Sequence, residues 1–244
     1  MKNILETEKI TKNFGGISAI NNLTISFAEG EITGLIGPNG SGKTTLVNVL
    51  TGFLPKDSGS TWWSGVEREK IRPWENSVYN VTRTFQQARL FEQISTIDNI
   101  LVMLTAREPI KALLERHGKL HTKRAEEILK SIGLFEKRNT ISLNLSYGQR
   151  KLLEMGRVIA MDSKIIFFDE PFAGLFPEMV KKIEDIILEF KRMGKTIILI
   201  EHNMGIIRKI CDQIIVMDAG ELLAKGRPEE VLDKKEVIEA YLGK

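Results

Sequence analysis

The octapeptide Gly37-Pro38-Asn39-Gly40-Ser41-Gly42-Lys43-Thr44 constrains the fold more than any other stretch, because it meets every position of the phosphate-loop pattern G-x-x-x-x-G-K-[ST]. Such a loop is expected between a strand and a helix. Both flanks comply: Glu31-Ile32-Thr33-Gly34-Leu35-Ile36 reads as strand and Thr45-Leu46-Val47-Asn48-Val49-Leu50 as helix. The residues between Gly37 and Gly42 let successive backbone N–H groups curl around an anion, above the positive end of the helix dipole. Lys43 brings a point charge to the β- and γ-phosphates, and the Thr44 hydroxyl is a ligand for Mg²⁺. A triphosphate is the expected guest. A glycine-rich turn that matches by chance is the bland alternative, and two fitting flanks argue against it.

A second constellation lies far downstream. Ile165-Ile166-Phe167-Phe168 is a continuous apolar run, and Asp169-Glu170 follow it. Open α/β sheets bind ligands beyond the carboxyl ends of their strands. Asp169 is therefore expected to hold Mg²⁺, directly or through water, and Glu170 to orient or deprotonate an attacking water. Without the phosphate loop, an ordinary acidic turn would be the better reading.

From Lys164 onward strand and helix alternate: residues 165–168, a helix over Glu178 to Arg192, Thr196 to Ile200, a helix from Met204, then Ile214 to Met217. Apolar runs separated by helices indicate a parallel sheet covered on both faces. Ahead of the phosphate loop, residues 4–10 and 22–28 read as strands around the turn Phe14-Gly15-Gly16, and Ser60 to Gly65 returns to that β layer. Phe14 is a candidate to stack on a purine base; the alternative is a turn aromatic packed on the core. Trp62 and Trp63 read as packing residues, and Val78 to Phe85 as a short β-prone segment. Residues from about Thr96 to Ala160 are mainly helical, with Ile97, Ile100, Leu101 and Leu104 at helical spacing. Beyond Gly220 come a turn, a strand and two short helices, the first opening at Pro228.

Composition excludes several classes. The 244 residues are 42% hydrophobic, enough for a sizeable core. A formal net charge of +3 does not ask for a nucleic-acid partner. The basic stretch from Glu115 to Arg124 lacks interleaved aromatics and reads as a solvated connection between helices. Its histidines have no Cys or carboxylate at metal spacing. The single cysteine, Cys211, reads as a buried structural thiol in a reducing compartment. The N-terminus turns acidic at Glu6, against a signal peptide, and no apolar run nears the ~18 residues of a membrane span. The cytoplasmic side is the expected location.

With these residues in hand, the chain resembles the ATP-binding subunits of ABC (ATP-binding cassette) transporters. Leu145-Ser146-Tyr147-Gly148-Gln149 is similar to their signature motif, Gln86 to the Q-loop glutamine, Asp169-Glu170 to the Walker B end, Ala173-Gly174-Leu175-Phe176 to the D-loop, and His202 to the switch histidine. Each is weak alone; in this order they span nearly the whole chain. The resemblance implies an α/β fold: a P-loop NTPase core with a mainly parallel sheet, an N-terminal antiparallel β layer and an inserted α-helical subdomain. It implies one ATPase domain over residues 1–244, with the helical insert at approximately 88–160.

It also implies ATP and Mg²⁺ as ligands and Glu170 and His202 as catalytic residues. Phe14, Gly37, Pro38, Asn39, Gly40, Ser41, Gly42, Lys43, Thr44 and Thr45 would bind ATP. Thr44, Gln86 and Asp169 would meet the metal, and residues 145–149 would serve the nucleotide of an opposite subunit. The implied partners are membrane-spanning permease subunits, a second identical or paralogous ATPase in a head-to-tail dimer and, indirectly, an extracytoplasmic solute-binding protein, with no nucleic acid. The implied location is peripheral, on the cytoplasmic face of the membrane.

Arg83-Thr84-Phe85-Gln86, Arg89-Leu90-Phe91, Tyr147 in the signature, and the tail from Gly226 through Gly243 look most like high-affinity branched-chain amino acid importer ATPases. Urea importers and lipopolysaccharide exporters share parts of these cues. Phe176 departs from the Asp or Asn usual in the D-loop, and the helical lobe is shorter after Ala106 than in many relatives. A soluble ABC protein acting on DNA or the ribosome is the competing class; no coiled-coil insertion or strongly basic arm supports it. A GTP switch would need a base-reading N-K-x-D segment, and the signature motif has no place in one.

Overall fold

The structure, a computed structural model, describes residues 2–105 and 119–242. Ala106, residues 115–118 of the basic stretch, with His117, and Gly243 of the tail lie outside the described residues. The chain divides into two compact units. The first comprises Met1–Arg83, Lys164–Glu170 and Leu188–Lys244; the second comprises Thr84–Ser163 and Pro171–Ile187.

Two sheets build the first unit. Strands β1 (Asn3–Phe14) and β2 (Ile17–Ala28) form a long hairpin, and β4 (Ser58–Trp63) and β5 (Val66–Glu67) extend it in the order β2-β1-β4-β5, all antiparallel. Both hairpin strands run longer than their apolar patterns suggest, and their pairing shifts register where Lys9 takes a left-handed φ of 46°.

The second sheet runs β10-β9-β3-β8-β7-β6. Its strands are β3 (Ile32–Ile36), β6 (Val81–Arg83), β7 (Ile165–Asp169), β8 (Thr196–Ile200), β9 (Gln213–Asp218) and β10 (Glu221–Gly226). All pairs are parallel except β9 with β10. Every residue of β3, β7 and β8 is buried, as expected of strands covered on both faces. The β-prone segment beginning at Val78 yields only three residues of strand. The chain is still turning at Asn80 (φ 56°), and the Val81 N–H donates back to the Asn76 carbonyl at 2.8 Å.

Helix α1 (Lys43–Leu50) follows β3 and contributes Leu46, Val47, Val49 and Leu50 to one apolar cluster. That cluster also holds Leu5, Ile10 and Phe27 of the hairpin and Leu35, Phe167 and Ile198 of the parallel sheet. Trp63 joins it and tilts against Phe167 at 6.5 Å, a packing residue as its setting suggests.

The second unit is helical: α2 (Thr96–Leu104), α3 (Lys119–Ser131) and α4 (Tyr147–Met161), with the start of α5 (Pro177–Arg192). Gly156 lets α4 pack closely, since a Cβ there would lie 2.7 Å from Ile132 Cδ1 and 3.1 Å from Ile100 Cδ1. Asn99, fully buried, ties the unit's loops. Its amide donates to the carbonyls of Phe91 (3.0 Å) and Ser95 (3.1 Å) and to Ser142 Oγ (2.8 Å), while its oxygen accepts from the Phe91 N–H. The last elements, α6 (Met204–Ile210), α7 (Pro228–Val231) and α8 (Lys235–Leu242), belong to the first unit.

Candidate active site

The phosphate loop leaves the end of β3, the strand lying between β8 and β9. Gly37 has φ 149°, and a Cβ on it would sit 2.1 Å from the Met217 carbonyl oxygen. Gly42, φ 98°, would place one 2.3 Å from the Ala19 carbonyl oxygen. Neighbouring backbone therefore demands glycine at both positions. The Gly220 N–H donates to Ser41 O at 3.1 Å, tying the loop to the β9–β10 turn.

Lys43 is buried, and its ammonium is folded onto the loop. It donates to the carbonyls of Gly37 (2.8 Å) and Pro38 (2.9 Å) and contacts Ser41 Oγ at 3.3 Å. Burial lowers its pKa, and the carboxylates of Glu170 and Asp169 oppose that shift. The sequence expectation has this ammonium on phosphate; here loop carbonyls hold it.

Asn39, Gly40, Gly42, Lys43, Thr44 and Thr45 line a cavity of about 190 Å³ together with Ala19, Ile200, Glu170 and His202. The cavity thus joins the loop to the ends of β7 and β8. Asp169 is the last residue of β7, still within the strand, and Glu170 follows at φ 48°, an uncommon conformation for a residue with a side chain. The Glu170 N–H donates to the Ile200 carbonyl at 3.0 Å, and Glu170 Oε1 lies 3.2 Å from His202 Nε2. A carboxylate and an imidazole thus meet at the wall of the cavity.

His202 is held from behind through its backbone N–H. Glu201, buried, accepts the His202 N–H at 2.6 Å and the Asn203 N–H at 3.0 Å on one carboxylate oxygen. Asn203 caps α6 by accepting the Ile206 N–H. For Glu201 the sequence signal was an acid directly after an apolar strand, the same pattern that drew attention to Asp169. Tyr241 of the tail lies in α8. Burial pushes its pKa up to about 12.

Phe14 ends β1 half-exposed, with Lys12 Nζ 5.6 Å from its ring centroid. The donor types at hand, the Thr44 hydroxyl and the Asp169 carboxylate, suit a hard cation that completes its shell with phosphate oxygens and water. Among the described residues no cluster of three or more His, Cys, Asp or Glu could hold a metal ion by itself.

Gln86 and residues 145–149 lie in the second unit. Ser146 caps α4: its Oγ accepts the Gln149 N–H, and the Gln149 side chain accepts the Ser146 N–H, a reciprocal capping box. The Tyr147 hydroxyl donates to the Ala173 carbonyl at 3.0 Å, and Phe176 is 82% exposed. Lys151, one turn into α4 and fully buried, donates to the Gln86 carbonyl at 2.9 Å and lies 3.3 Å from Glu154. This link between the signature helix and the glutamine carries no sequence signature of its own.

Comparison with known proteins identifies the family and the fold. Residues 20–173 match the family described as ABC transporter. The chain is 37% identical to the high-affinity branched-chain amino acid transport ATP-binding protein LivG of Salmonella typhimurium, covering 98% of each. It is 36% identical to the probable branched-chain amino acid transport ATP-binding protein LivG of Methanocaldococcus jannaschii, over 98% of this chain and 97% of that one. Among solved structures, an ATP-binding cassette of an ABC transporter in its ADP conformation superposes with a TM-score of 0.86 at 34% identity, covering 100% of both chains.

Proposed function

Because this chain belongs to the ABC transporter family of ATP-binding proteins, with a P-loop α/β fold and ATP hydrolysis as its activity, we propose that it energises the import of branched-chain amino acids. The observation that carries the reading is the cavity where the phosphate loop, Glu170 and His202 converge. The names borne by the relatives supply the solute class.

In this reading the triphosphate lies along the loop from Gly37 to Thr45, with the adenine near Phe14. The Lys43 ammonium exchanges the Gly37 and Pro38 carbonyls for phosphate oxygens, which are the stronger acceptors. Glu170 takes the proton of the attacking water, whose oxygen bonds to the γ-phosphorus as the bond to the β-phosphate oxygen breaks. His202, fixed by Glu201 behind it and facing Glu170, orients the γ-phosphate and that water. Thr44 and Asp169 would hold Mg²⁺, with Gln86 as a further contact, and the ion would neutralise charge on the phosphates. Residues 145–149 serve the nucleotide of a second ATPase in a head-to-tail dimer. That pair works at the cytoplasmic face on permease subunits supplied with solute by an extracytoplasmic binding protein. ATP favours the closed dimer, and its cleavage removes that preference. No helix among the described residues is long and apolar enough to cross a membrane, which fits reliance on separate permeases.

Co-purification of the complex with its permeases, followed by identification of the bound solute, tests the transport reading. Leucine, isoleucine or valine is the expected result, and urea or a lipopolysaccharide would replace it. For the chemistry, Lys43→Ala is expected to weaken triphosphate binding in calorimetry, and unchanged affinity would remove the loop assignment.

A further inference from the structure

Phe14 stands at the tip of the β1–β2 hairpin, beside the turn residues Gly15 and Gly16. One edge of β1 is paired up to that tip, with Asn13 opposite Ser18 and Phe14 opposite Ile17. The other edge is not. There β1 runs against β4, and the pairing ends at Thr11 opposite Ser58, short of the aromatic residue.

Asp57, the residue just ahead of β4, takes over where that ladder stops. Its N–H donates to the Thr11 carbonyl at 2.9 Å. Its side chain then reaches further along β1: Oδ1 accepts from the Lys12 ammonium at 2.7 Å, and Oδ2 accepts the Asn13 N–H at 2.7 Å. Thr11, Lys12 and Asn13 are thus bonded in succession to one aspartate, and Phe14 comes next. The Lys12 ammonium, held in this way, lies 5.6 Å from the centroid of the Phe14 ring. The Lys12 bond first, and then the Asn13 N–H, hold the Asp57 carboxyl below its ordinary value. The clamp is therefore charged at neutral pH.

Asp57 is exposed, and an ion pair at the surface adds little to stability. What this one fixes is position. A ring stacks on a planar base at contact distance and in a narrow range of tilt, and a platform already held in that pose loses less freedom when the base arrives. We propose that Asp57 is a positioning residue for base recognition: by holding Lys12 and the Asn13 backbone on its two carboxylate oxygens, it presets the Phe14 ring for stacking on adenine. Asp57 acts through β1 without touching the nucleotide. The inference rests on the reading above in which adenine lies near Phe14.

The experiment compares two ligands by calorimetry in Mg²⁺: a non-hydrolysable ATP analogue, which carries the base, and inorganic tripolyphosphate, which does not. Loss of the aspartate charge acts on both anions alike, so the ratio of their affinities isolates the share of binding due to the base. Phe14→Ala, the reference, is expected to lower that ratio about ten-fold. Asp57→Ala is expected to lower it about four-fold with tripolyphosphate affinity changed by less than about two-fold, and to have no further effect on the ratio in the Phe14→Ala background. Asp57→Asn, which keeps an acceptor for the Asn13 N–H but loses the charge that holds Lys12, guards against a misfolded alanine variant, with a smaller shift in the same direction. A native ratio in every Asp57 variant that folds, while Phe14→Ala lowers it, overturns the proposal alone; so does an Asp57→Ala effect that is as large without Phe14 as with it. A native ratio in Phe14→Ala removes the adenine-stacking reading, and this inference goes with it.

Discussion

Lys43 is buried and satisfied by its own loop, and under the proposed function this sets what nucleotide must do on arrival. Two carbonyls hold the ammonium at 2.8 and 2.9 Å, and in that proposal a phosphate has to draw it away. Replacing Glu170 by Gln keeps the side chain's size and removes the proposed base. Turnover of ATP is expected to fall by roughly 10²–10⁴-fold with binding retained, as measured by phosphate release and calorimetry. The loop glycines divide in the same way. Gly37→Ala drives a Cβ into the Met217 carbonyl oxygen at 2.1 Å, and backbone cannot yield cheaply. Gly40→Ala meets nothing within 4 Å and carries only the strain of φ 81°, about 1–2 kcal/mol. Thermal melts should show the first variant far less stable than the second, and only the second should still bind nucleotide.

At the scale of elements, α4 does two jobs with one end. Its cap is Ser146, and one turn later Lys151 reaches the Gln86 carbonyl. Burial raises the Glu154 pKa, and Lys151 opposes that shift. A glutamate whose folded pKa lies above its unfolded value contributes stability at low pH and loses it as pH rises through the folded value. Glu154→Gln is therefore expected to gain stability relative to the native chain as pH climbs from about 4.5, measured as urea midpoints across the acid range. Lys151→Ala, which leaves that acid buried without its partner, is expected to cost about 3–5 kcal/mol.

The elements also show what the sequence could carry. β3, β7 and β8 were legible because burial on both faces leaves an unbroken apolar run. The phosphate loop was legible because its pattern fixes both residue type and spacing over eight consecutive positions. Lys151 was not, since it meets a backbone carbonyl distant in sequence and leaves no spacing to read, and Glu201 leaves only its place directly after an apolar strand. The short β6 was overextended for a related reason: β-rich composition says nothing of a turn closed by Asn80 and the Val81 N–H.

Across the whole molecule, Cys211 behaves as its solitary place among apolar residues suggests. It is buried and free, and burial first, then Asp212, pushes its pKa up to about 12. Alkylation at pH 8 is expected to be negligible in the folded chain and fast in urea, followed by mass spectrometry. Rapid labelling without denaturant would contradict its burial.

The strand order β9-β3-β8 has one more consequence, which belongs to the birth of the chain. The ribosome makes β3 and the glycine loop well before the two strands that flank β3, which emerge only at residues 196–200 and 213–218. Until Asp218 has cleared the exit tunnel, the newborn loop has no frame to hold its curl. A nascent polypeptide stalled short of that residue should be unable to grip a nucleotide, however long its leading portion has waited.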